Sequence, residues 1–144
     1  MSKTQKIIRF TFWINLIWHT ILVAGLLGVF LQWSQAYLLL ILALVISAYP
    51  SLYLPKKYGV KVTNQYDPFY FIQDEREKEI AFRIHSKIFV SYYLIIGFGF
   101  VVLTNVFSDG ITLEFKIFLA TVWCAVALFL PNIQYYLLWN HYDQ

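Results

Sequence analysis

The sequence predicts an all-α integral membrane protein: four transmembrane helices paired as two antiparallel hairpins, with an amphipathic cytoplasmic extension of the third helix. Three observations carry that expectation. Of 144 residues, 60% are hydrophobic, 20% aromatic and only 13% charged, whereas soluble domains hold roughly 25% charged residues. Four stretches, 7–31, 35–54, 84–107 and 111–130, reach the roughly 20 apolar residues that a helix needs to cross a hydrocarbon core about 30 Å thick. Ten of the eleven Lys and Arg residues fall in two clusters, one at the start of the first stretch and one between the second and third.

Taken in order, the first span follows Lys3 and Lys6 and carries Arg9 at its start. A basic start and the cleavage-like Ser34-Gln35-Ala36 are features of a signal peptide. The apolar part exceeds the roughly 7–15 residues of such a segment, so an uncleaved helix is expected. The turn "QWSQ", Gln32 to Gln35, and the turn "SDGIT", Ser108 to Thr112 with its Asp109-Gly110 signal, are short. Connections of that length make spans one and two, and spans three and four, antiparallel neighbours in a compact bundle. Pro50 and Pro55 are expected to end span two and Pro131 to end span four, each beside Tyr-rich sequence. Gly25 and Gly28 lie midway along span one, and Gly97 and Gly99 along span three. A distant duplication would produce that likeness, and so would the general features of spanning helices, which are favoured here.

The placement of the basic residues sets direction. The positive-inside bias puts both termini and the linker 55–83 in the cytoplasm, leaving Lys116 alone on the far side. A net charge of +3 and a pI near 8.9 do not point to nucleic acid, because the basic residues flank apolar runs instead of forming one patch. The lone Cys124 is read as a small packing residue. The chain is therefore read as one multi-pass membrane domain, with the lipid bilayer as its first partner. In the linker, "VKVTNQYDPFYFIQ" from Val60 to Gln73 is expected to be irregular or interfacial, with Phe69, Tyr70, Phe71 and Ile72 in the headgroup layer.

The one dense run of charge is "QDEREKEIAFRIHSK", Gln73 to Lys87. With Asp74 as N-cap, Glu77 falls at the third helical position, an acidic variant of the capping box, and Glu75 joins it beside the positive end of the helix dipole. At 100° per residue, Glu75, Arg76, Glu79, Arg83, Ser86 and Lys87 share one face, and Ile80, Ala81, Ile84 and Ile88 form the opposite stripe. The segment reads as a solvated helix start that anchors orientation, with that charged face a candidate cytoplasmic docking surface. The run "DEREKEIAFRIHSK" leading into "IFVSYYLIIGF" resembles the Asp-Glu-Arg-Glu juxtamembrane start of small uncharacterised bacterial four-helix membrane proteins. The resemblance implies a bacterial inner-membrane location and carries no functional residue with it.

Ionisable groups at membrane depth are costly and mark candidate sites. His19 lies about 15 Å along the helix from Arg9, with Asn15 one turn earlier on the same face. The two are expected to line a polar seam with Ser47 of span two, or with Asn105 and Ser91 of span three, most simply through an interhelical hydrogen bond. No haem is expected, since His85 and His141 lie at other depths, and no zinc set, paired-histidine spacing, catalytic triad or phosphate loop is present. No cofactor, metal or catalytic residue is therefore expected. The favoured role is a non-enzymatic accessory, regulatory or immunity-type partner of another membrane component. The alternatives are a small oligomeric transporter or channel with a polar path near Asn15 and His19, and a scaffold that docks a soluble regulator on the charged helix.

Overall fold

The computed structural model describes residues 2–59 and 74–143, all of them in helices or the turns between them. The helices are α1 (Lys3–Phe30), α2 (Ala36–Tyr58), α3 (Glu75–Val106) and α4 (Leu113–Tyr142), and each is long and apolar enough to cross a membrane. The segment 60–73, expected to be irregular or interfacial, lies outside the described residues.

Each helix is longer than its apolar span, and polar side chains cap the starts of α1, α3 and α4. Ser2 and Gln5 form a reciprocal capping box at the start of α1, where the Ser2 hydroxyl accepts from the Gln5 amide at 3.1 Å and the Gln5 side chain accepts from the Ser2 amide at 3.0 Å. At the other end the Trp33 amide reaches the Gly28 carbonyl at 2.8 Å and the Gln32 amide reaches that of Val29 at 3.0 Å. This is a Schellman closure, with Gln32 taking the left-handed position at φ 57°. Thr112 caps α4 by accepting from the Phe115 amide at 3.5 Å. Asp74 caps α3 as expected, accepting from the Arg76 amide at 3.3 Å. The expected capping box does not form there, because Glu77 instead accepts the Thr4 hydroxyl at 2.7 Å.

The prolines do not end their helices. The α2 helix runs through Pro50 and Pro55 to Tyr58, and α4 runs through Pro131 to Tyr142. A proline removes one helical donor, which frees the carbonyls of Ile46, Ser51 and Ala127 one turn earlier. Spanning helices tolerate that loss when neighbouring groups and the flanking turns hold the backbone.

The helices pack in the order α2, α1, α4, α3, and among the described residues α2 and α3 do not approach each other. The expected compact bundle is thus open along one side. Small residues set the contact of α1 with α2. A β-carbon added at Gly28 would meet the Ala36 methyl at 2.8 Å, and one at Gly25 would meet the Leu40 side chain at 2.7 Å. Ala36 and Ala43 are buried on the facing side. Between α3 and α4, Trp123 lies over Gly99, and its indole donates to the Ile95 carbonyl at 3.0 Å. Gly97 faces open space, so the two glycine pairs are used differently.

One end of the molecule collects four chain segments. Ile7 packs with Leu54, and Ile8 with Ile80, Ala81, Ile84, Ile88 and Trp139. The Gln5 amide donates to Asp143, and Thr4 to Glu77. The starts of α1 and α3 therefore meet the ends of α2 and α4, and the turns 31–35 and 107–112 lie at the opposite end. Gly28→Val is expected to lower stability by about 1–3 kcal/mol, the usual range for overpacking, while Gly97→Ala leaves it unchanged or slightly raised. Thermal denaturation of both variants in mild detergent checks this.

Candidate functional site

The α1 and α4 helices run antiparallel along one seam. On α1 the seam residues are Gln5, Ile8, Phe12, Asn15 and His19; they meet Asp143, Trp139, Tyr136, Asn132 and Phe129 of α4 in turn. Both sets recur at alternating spacings of three and four, the a/d pattern of helices that pack at about +20°. Apolar rings fill most of these levels, and Phe12 stacks on Tyr136 with centroids 4.2 Å apart.

Beyond the Gln5–Asp143 level at its end, two levels within the seam are polar. The Trp18 indole donates to the Asn15 carbonyl oxygen at 3.0 Å, the Asn15 amide donates to the Asn132 oxygen at 3.3 Å, and the Asn132 amide donates to the Phe12 backbone carbonyl at 3.3 Å. This relay satisfies two side-chain amides inside the bundle. One turn deeper, His19 is only 6% exposed, and its Nδ1 is buried without a hydrogen-bond partner among the described residues. Its neighbours are rings: Trp18 at 4.1 Å and Phe129, edge-on, at 5.6 Å. An unpaired buried polar atom costs about 1–3 kcal/mol, so His19 stands out against the satisfied amides beside it.

A cleft of about 430 Å³ opens between α1 and α3 over α4. Asn15 and His19 line it from α1, His85 and Tyr92 from α3, and Asn132 and Tyr135 from α4, with no Asp, Glu, Lys or Arg on its walls among the described residues. His85 donates from Nδ1 to the Ala81 carbonyl at 2.8 Å and packs edge-on against Tyr135 at 5.5 Å. His19 and His85 thus share one cleft, which the sequence did not anticipate. Their α4 neighbours, Phe129 and Tyr135, are about 9 Å apart along the axis, so the two imidazoles stand at different depths. Among the described residues no three His, Cys, Asp or Glu side chains gather as a metal site.

The predicted seam partners lie elsewhere. Ser47 donates to the Leu44 carbonyl at 2.8 Å and Asn105 to that of Val101 at 2.7 Å, each within its own helix. Such back-bonding satisfies the donor of a short polar side chain within its own helix, and neither residue bonds to Asn15. Its partner, Asn132, follows Pro131, where the sequence reading stopped the helix. Continuing the helix through the proline would have set the two asparagines at matching depth. On α3, Glu75, Arg76, Glu79, Arg83 and Lys87 are exposed together, with Arg83 and Glu79 paired at 2.7 Å and Lys87 over the Tyr142 ring at 5.1 Å. The stripe Ile80, Ala81, Ile84 and Ile88 is buried, as expected.

No family model, curated protein or solved structure matches the chain. The amide relay has a direct energetic test. Asn15→Leu and Asn132→Leu are each expected to destabilise the fold, and the double variant less than their sum. The expected coupling is about 0.6–1.7 kcal/mol, the range for hydrogen bonds between spanning helices. Reversible unfolding in detergent measures the cycle.

Proposed function

We propose that the chain is a non-enzymatic multi-pass protein of a bacterial inner membrane that acts by lateral association with another membrane component, as an accessory, regulatory or immunity-type partner. Its helices form two antiparallel hairpins with both termini and the 59–74 connection in the cytoplasm. The gathering of the α1 and α3 starts with the α2 and α4 ends, together with the basic residues found there, supports that orientation. At 32 residues, α3 is about 48 Å long at helical rise, which exceeds a core of about 30 Å and supports a cytoplasmic extension bearing Glu75 to Lys87.

The observation that carries the reading is the unpaired flank. On α2, Leu38, Ile41, Leu42 and Val45 are exposed, and on α3 so are Phe89, Val90, Tyr93 and Leu94, while α2 and α3 leave the bundle open between them. Van der Waals packing against a third helix is the interaction such a flank offers inside lipid. The charged face of α3 extends the same contact surface into water.

The polar cleft favours a second reading, a small oligomeric transporter or channel with a path near Asn15 and His19. Photo-cross-linking in native membranes separates the two. A cross-linker at Ile41 or Leu94 is expected to give an adduct with a different protein, and the adduct is lost when Leu38→Lys interrupts the flank. Adducts between copies of this chain alone would shift the assignment to the oligomeric transporter, and adducts with lipid alone would contradict both readings.

A further inference from the structure

The cleft between α1 and α3 has three properties that together specify an occupant. Among the described residues its lining lacks Asp, Glu, Lys and Arg, so none of them offsets the cost of bringing a charged molecule into the membrane interior. Four aromatic rings stand among its aliphatic walls: the stacked pair Phe12 and Tyr136, together with Tyr92 and Tyr135. Such walls favour a flat ring over a flexible chain, because offset and edge-on ring contacts add to plain apolar burial. At its deep end stands His19, 6% exposed, with Trp18 and Phe129 as ring neighbours and a buried Nδ1 that has no hydrogen-bond partner among the described residues. The neighbouring amides are engaged in their own relay, whereas the imidazole keeps a buried nitrogen with no partner among the described residues.

From these we infer that the cleft binds a neutral, ring-headed lipophile bearing oxygen on the ring, of the quinone and quinol class, with that oxygen hydrogen-bonded to His19. A neutral imidazole has one donor and one acceptor nitrogen, so it serves a quinone carbonyl in one ring orientation and a quinol hydroxyl in the other. At about 430 Å³ the cleft lies within the roughly 300–1,000 Å³ range of small-molecule sites. Beyond the helix starts, which Thr4–Glu77 and the Ile8 cluster hold together, the backbones of α1 and α3 do not approach each other, and that gap gives the ligand a sideways route from lipid. The inference requires only that the chain sits in a bilayer and is independent of any lateral protein partner.

The experiment uses the full chain in phosphatidylcholine nanodiscs and a benzoquinone with a decyl tail as probe. Trp18 packs on His19, so the bound quinone should quench its fluorescence. The expected result is quenching that saturates with probe. His19→Leu weakens it about tenfold or more, as the loss of one buried hydrogen bond implies; His19→Gln largely retains it; and Ala127→Phe, which fills the cleft wall, abolishes it. Decylbenzene, with the same tail and no ring oxygen, is expected not to displace the probe. Quenching that rises linearly without saturation, or that is unchanged in both His19→Leu and Ala127→Phe, overturns the site. Equal displacement by decylbenzene overturns the assigned chemistry.

Discussion

A bilayer core holds no water to satisfy a polar group, and that single constraint accounts for most of this structure. Every helix must close its own hydrogen bonds, so polar caps stand at the ends: Ser2 with Gln5 on α1, Asp74 on α3 and Thr112 on α4. Short polar side chains inside the helices follow the same rule. Thr20, Ser47, Ser86, Thr104, Asn105 and Thr121 all donate to carbonyls three or four residues earlier in their own helices. The asparagines that leave this pattern, Asn15 and Asn132, find each other across the α1–α4 seam. Among the described residues, His19 Nδ1 finds no such partner, and neither does the Trp139 indole at the other end of the seam.

The same constraint removes the usual force between helices. Lipid tails are as apolar as leucine, so association rests on close packing and a few hydrogen bonds. The contacts are accordingly of two kinds. Glycine and alanine bring α1 against α2 and let Trp123 lie on α3 over Gly99, while a three-and-four pattern of rings and amides joins α1 to α4. Polar ties outside the apolar spans, Thr4 to Glu77 and Gln5 to Asp143, complete the assembly at the end that holds the chain's charge. The acidic run of α3 takes part there through one residue, Glu77, and turns its remaining charges to water.

What the sequence disclosed and what it hid follow from where the information resides. Apolar length and charge placement are properties of single segments, so four spanning helices and the buried stripe Ile80 to Ile88 were legible. Proline was misread because its cost in water does not carry over to lipid, and α2 and α4 continue through Pro50, Pro55 and Pro131. That error hid Asn132, and with it the true partner of Asn15. The cleft was not legible either, since it depends on which helices are neighbours, and the order α2, α1, α4, α3 is not written in any one segment. His85 belongs to the cleft only because Tyr135 lies opposite it.

The central claim is that lipid is the solvent for the exposed apolar faces, and its sharpest test is Leu94, which is 72% exposed on α3. In a Cys124→Ala background, Leu94→Cys and Asp109→Cys are treated in intact membranes with a charged maleimide that cannot enter lipid. The account predicts rapid labelling at position 109 and protection at position 94 until detergent or denaturant is added. Equal labelling at the two positions before solubilisation would contradict it, because the face around Leu94 would then be in contact with water.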